Sequence, residues 1–172
     1  MMKTHKLKTE IWLPQKRTTV FSFFADPRNL EDLTPGWLHF EILTPMSRQM
    51  KSGVLLDYRL RLYGIPLHWQ SEICVWEPPH RFIDRQIRGP YRVHTFTEHR
   101  GGTLVGDTVD YAAPGGILVQ KLFLARDLNR IFAYRHERLR ERFGGSDPQD
   151  PTAVKQSQPL SEGQKTSFGE LQ

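Results

Sequence analysis

The chain has 172 residues, 38% hydrophobic and 25% charged, with a formal net charge of +5 and one cysteine, Cys74. That length suits a single domain with a sizeable core. A lone cysteine excludes an intramolecular disulfide framework and a cysteine-rich metal site, and no apolar run approaches the roughly 18 residues of a membrane span.

The opening MMKTHKLKTEIW lacks the apolar stretch of a secretory signal, so the expected setting is cytoplasmic. Lys6–Leu13 reads as a first strand, ended by Pro14. Gln15–Ala25 places Val20, Phe21 and Phe24 at helical spacing, and Pro27 starts a second short helix that runs to Leu33. Leu38–Leu43 reads as a short strand. Val54–Tyr63 is a clear one, with Val54, Leu56, Tyr58, Leu60 and Leu62 on one face. Gly64–Ile65–Pro66 turns the chain into Leu67–Trp76, whose odd face is Leu67, Trp69, Ser71, Ile73 and Val75. Beyond Pro78–Pro79, strands are expected near Arg81–Arg88, Tyr91–His99 and Thr103–Ala113, with Gly101–Gly102 as the hairpin signal between the last two.

Ile117–Phe143 carries the longest helical pattern, an apolar stripe of Leu118, Leu122, Ala125, Leu128, Phe132, Leu139 and Phe143. Six arginines, at 126, 130, 135, 138, 140 and 142, are read as its solvated side. Residues 144–172 are expected to form a disordered tail of net charge −2, leaving +7 on a domain at 1–143. A basic helix can attract nucleic acid, but no recognition motif accompanies it, so no nucleic acid partner is expected.

An α+β architecture follows. One strand, two short helices, about six more strands and a long helix are most economically arranged as a curved antiparallel sheet cradling that helix. The order resembles the helix-grip fold of the START-like, or SRPBCC, superfamily, and within it bacterial polyketide cyclase/dehydrase-type and coenzyme Q-binding proteins. The residues that carry the resemblance are Val20–Phe21 with Phe24, Leu33–Thr34–Pro35 before Trp37, Gly64–Ile65–Pro66 before Trp69, and Pro78–Pro79. Further along stand Phe82-x-Asp84-x-Gln86, Gly89–Pro90–Tyr91, Gly102–Thr103, Asp107-x-Val109-x-Tyr111 and Pro114-x-Gly116. The resemblance spans roughly residues 5–143. It implies a hydrophobic cavity between sheet and helix, used by relatives for lipids, sterols, quinones or polyketides.

Strand parity supplies polar candidates for that cavity. Asp107 shares a face with Val105, Val109 and Tyr111, and Asp84 shares one with Phe82 and Gln86. A carboxylate on an apolar face must be paired or hydrogen-bonded. It can therefore hold a ligand oxygen, move a proton, or fix the sheet through a neighbouring Arg or His. Asp84, Asp107 and His94 are the candidates for acid–base work. The expected ligand contacts add Tyr58, Leu60, Trp69, Ser71, Phe82 and Gln86, then Phe96, Val109, Tyr111, Leu128 and Phe132. The other histidines lack metal-ligand spacing, so no metal and no cofactor are expected. The leading reading is a non-catalytic binder of a small hydrophobic ligand. A cyclase or dehydratase using a cavity carboxylate, and a module docking on a protein or membrane surface through its arginine-rich helix, are the alternatives. The oligomeric state is left open.

Overall fold

The computed structural model describes residues 5–45, 49–87, 91–111 and 125–144. Seven strands form one antiparallel sheet: β1 (His5–Leu13), β2 (Glu41–Ile42), β3 (Leu55–Leu62), β4 (Ile65–Glu77), β5 (Arg81–Gln86), β6 (Tyr91–His99) and β7 (Gly102–Tyr111). Their order across the sheet is β1-β7-β6-β5-β4-β3-β2, so the first strand closes against the last. Between β1 and β2 lie α1 (Arg17–Phe24), α2 (Asn29–Asp32) and a 3₁₀ turn at Gly36–Leu38; the long helix, α3, runs over Ala125–Phe143.

Alternation decides which face is buried. On β1, Leu7, Thr9, Ile11 and Leu13 point inward, opposite Val109, Asp107, Val105 and Thr103 of β7. The core continues through Leu56 and Tyr58 of β3, Ile73 of β4 and Phe82 of β5. Val20, Phe21 and Phe23 of α1 cover this face, and Leu139 of α3 joins the same cluster. Leu7, Val109 and Phe132, with Leu128 against them, form a smaller cluster nearer the start of α3. The helix ends at Gly144, whose φ of 74° is the left-handed conformation that terminates helices.

Both tight hairpins sit one residue earlier than the glycine and proline signals place them. Tyr63–Gly64 joins β3 to β4, and Arg100–Gly101 joins β6 to β7; all four residues have positive φ, as two-residue turns of type I′ require. Ile65 and Pro66 thereby become the first residues of β4 and Gly102 the first of β7. At Gly102 a Cβ would stand 2.3 Å from the Leu13 carbonyl oxygen, so a side chain has no room there.

Two expectations need correction. The strand expected at Leu38–Leu43 shrinks to Glu41–Ile42, because Gly36–Leu38 coils into a 3₁₀ turn and His39 follows at φ 44°. The inward face of β4 does not alternate throughout. The register with β5 shifts between Ile73 and Val75, a β-bulge at Cys74. Beyond it Trp76, not Val75, pairs opposite the buried Phe82, and its ring meets Phe21 at 5.3 Å and Phe82 at 5.6 Å. The helical pattern from 117 to 124 and the tail beyond 144 lie outside the described residues. Among those described, no helix is long and apolar enough to cross a membrane.

Candidate functional site

Two adjacent rungs of the sheet carry the polar groups. One runs from Trp76 through Phe82, His94 and Asp107 to Thr9; the other runs from Ile73 through Asp84, Arg92 and Val109 to Leu7. Register thus sets Asp84 beside Arg92 and His94 beside Asp107, all on the inner face. From α3, one helical turn beyond Phe132, Arg135 reaches down to the same place.

His94 sits at the centre. Its Nε2 is 3.1 Å from Asp84 Oδ1, and its Nδ1 bonds Asp107 Oδ1. Phe82 stacks on the ring at 4.5 Å between centroids. A neutral imidazole has one N–H and one lone pair, so it would turn that lone pair on a carboxylate. The imidazolium donates from both nitrogens and satisfies both partners. Although burial opposes its charge, Asp107 and Asp84 raise the His94 pKa above its ordinary value.

The carboxylates are held in turn. Arg92 Nε donates to Asp84 Oδ2 at 3.0 Å, and its Nη2 donates to the same oxygen and to Ser71 Oγ, the latter at 3.0 Å. The Arg92 guanidinium also lies 5.8 Å over the Trp69 ring. Burial pushes the Asp84 pKa up, but Arg92 and His94 outweigh it and bring it down to about 2. Asp107 is 3% exposed; burial is again outweighed, here by His94 and Arg135, so its pKa also falls below the ordinary value. Arg135 Nη1 stands 3.7 Å from Asp107 Oδ2, an ion pair too long for a hydrogen bond.

The network forms one end of a cavity of about 70 Å³. Its other walls are mainly apolar, with Phe23, Phe24, Leu30 and Leu33 from the helical side and Leu56, Ile73, Trp76 and Phe82 from the sheet, while Asp26 and Asn29 add polar groups at the α1–α2 turn. The α1–α2 turn roofs it and is fixed locally. Asn29 Nδ2 donates to the Phe23 carbonyl at 2.8 Å, Thr34 Oγ1 donates to the Leu30 carbonyl at 2.6 Å, and Asp26 accepts from the Arg28 backbone and guanidinium. Tyr58 contributes a phenol that burial keeps protonated, its pKa raised well above normal. The volume is small beside the roughly 300–1,000 Å³ of pockets for drug-sized ligands.

Of the residues expected at a ligand site, Tyr58, Phe82, Asp84 and His94 line this cavity. Asp107 lies one layer behind, reached through His94. Ser71 is buried beneath Arg92, Phe96 belongs to the aromatic core against Phe21 and Phe24, and Trp69 stacks under Arg92. Val109, Leu128 and Phe132 form the separate cluster, while Leu60 and Gln86 are half-buried farther along their strands. The Tyr111 side chain lies outside the described residues. Among those described, no group of His, Cys, Asp or Glu is placed to hold a metal ion.

Two members of the network, Arg92 and Arg135, are absent from the expected set, and Arg135 corrects the reading of the helix arginines as a solvated face. Both had a sequence signal. Arg92 shares parity with His94 and Phe96, and Arg135 falls between Phe132 and Leu139 on the apolar stripe.

A seven-stranded antiparallel half-barrel gripping one long helix is a helix-grip fold. No family model matches the chain, and no curated protein matches it in sequence. Solved structures do. The KanY protein superposes with a TM-score of 0.65 at 15% identity, over 84% of this chain and 100% of that one. A protein from Mycobacterium smegmatis gives 0.62 at 19% identity, over 80% and 89%. A polyketide cyclase-like protein from Corynebacterium glutamicum gives 0.51 at 14% identity, over 84% and 92%. At these identities the likeness is one of fold.

Proposed function

We propose that this protein binds a small, largely apolar organic molecule between the sheet, the α1–α2 turn and α3, without transforming it. The observation that carries this reading is the composition of the cavity: aromatic and aliphatic walls with a few polar groups, most of them gathered at Asp84, Arg92, His94 and Arg135, the general form of a small-molecule site. The fold likeness to a polyketide cyclase-like protein supports the binding of an organic molecule and bears equally on a binder and an enzyme.

The geometry favours binding over acid–base chemistry. Both nitrogens of His94 and both oxygens of Asp84 already have partners within the protein. A group that exchanges a proton with substrate must reach it directly or through one water, and here each candidate would first have to leave its ion pair. The arginine-rich helix offers fewer free cations than its sequence suggests, since Arg135 turns inward, Arg138 pairs with Glu141 and Arg142 lies on the Phe23 ring, while Arg126 and Arg130 stay exposed.

Native mass spectrometry of the full chain tests the reading. The wild type should carry an organic adduct released on mild activation. A Leu30→Trp variant, which fills the cavity from the roof, should fold cooperatively and lose it. Retention of the same adduct by Leu30→Trp would place the ligand elsewhere.

A further inference from the structure

The charges around the cavity do not balance. Asp26 is matched at the roof by Arg28, and Asp84 is matched by Arg92. Asp107 is left to serve two cations, His94 and Arg135. Among the described residues, Arg92, His94 and Arg135 therefore face two anions, Asp84 and Asp107, and one positive charge has no counterion among them.

The shortfall falls on Arg135. A guanidinium offers five N–H donors. Here Nε is buried without a hydrogen-bond partner among the described residues, and the nearest carboxylate oxygen to Nη1 is 3.7 Å away. The side chain is only 11% exposed, and its remaining support is the face of Phe132 at 5.3 Å. A buried, under-satisfied cation is costly, and an oxygen anion delivered from the cavity would relieve that cost. Arg135 lines the cavity, as does Tyr58, whose phenol can also donate.

We propose that the ligand is a small amphipathic anion, an organic carboxylate or a group of like charge and shape, with its oxygens on Arg135 beside His94 and its apolar body against Leu30, Leu56 and Phe82. The proposal rests on the cavity reading above and specifies the ligand's chemical class. A neutral hydrocarbon would fill the same walls but leave Arg135 as it stands. Asp84 and Asp107 keep their places, because the ligand completes their network instead of displacing it.

The test uses two probes of equal size that differ in charge, benzoate and benzamide, titrated into the full chain by calorimetry at pH 6 and low ionic strength. Wild type should bind benzoate about tenfold or more tightly than benzamide, the discrimination of a charge-assisted hydrogen bond. In Arg135→Gln the ratio should fall to about one, with benzamide binding little changed. Arg135→Lys should restore part of the preference, since it returns the charge without the planar fork. Equal binding of the two probes to wild type would overturn the anion while leaving the cavity reading in place. So would a preference that survives in Arg135→Gln. If neither probe binds, the cavity reading falls and the anion with it.

Discussion

Replacing Asp107 by Asn preserves shape and removes one charge from the centre of the buried network. The ion pair to Arg135 at 3.7 Å corresponds to a gross attraction of about 4 kcal/mol in an effective dielectric of about 20. The cations left behind stay buried, so the net cost should approach the roughly 3–5 kcal/mol of breaking a buried pair from one side. Urea denaturation at pH 6 measures it. The pH slope is the more specific readout. In wild type the His94 pKa is raised above its unfolded value of about 6.5. Between that value and the folded pKa, the native state holds a proton that the unfolded state has lost, so stability falls as pH rises. Without Asp107, only Asp84 is left to oppose burial at His94, so the His94 pKa should fall from its wild-type position. The native state then holds less of the extra proton, and the decline of stability with rising pH should be shallower than in wild type. A cost below about 1 kcal/mol, or the same slope in both proteins, would refute the ionic account of the site.

Three further outcomes follow from the same geometry. Asp84, with a folded pKa of about 2 against 3.8, should contribute about 2 kcal/mol that is fully present above pH 4 and lost as pH falls through 2; acid titration of wild type against Asp84→Asn isolates it. Trp76→Ala should cost about 3–5 kcal/mol and Val75→Ala about 1, an inequality that depends on the bulge and that denaturant melts would reverse if Val75 faced the core. Gly102→Ala should destabilise by about 2 kcal/mol or more, because the Leu13 carbonyl that it meets at 2.3 Å is backbone and cannot swing away; an unchanged thermal midpoint would contradict the packing of β1 on β7.

The architecture was legible because each long strand has one wet face and one dry one. Val54–Tyr63 and Thr103–Ala113 state their inward residues by alternation alone, and Asp107 stood out against that pattern. What escaped is what parity cannot express. The bulge at Cys74 inserts one residue, and every inference downstream on β4 changes face, which is why Val75 was expected where Trp76 stands. Arg92 and Arg135 escaped for another reason: arginine defaults to solvent, and only a buried acid opposite reverses that default. Asp84 and Asp107 were visible as unbalanced charges, but their partners come from β6 and from a helix far along the chain. On the helix stripe from 132 to 139 the apolar members set the pattern, and Arg135 sits inside it without disturbing the period.

The pairing of β1 with β7 also has a consequence in time. Residue 5 lies opposite residue 111, so one edge of the sheet waits for all the intervening strands to be present and in order. Contacts of such long sequence separation slow folding, because the entropy of closing the loop is spent before any pairing rewards it. Asp107 arrives with that last strand, and Arg135 arrives later still. His94 and Asp107 already face each other across the β6–β7 hairpin, but until β1 and α3 cover them they belong to a partial sheet open to water. Neighbouring strands set the ion pairs, but the burial that shifts their ionisation is completed only at the final closure, so refolding monitored by the ionisation of His94 should lag behind refolding monitored by the β3–β4 hairpin.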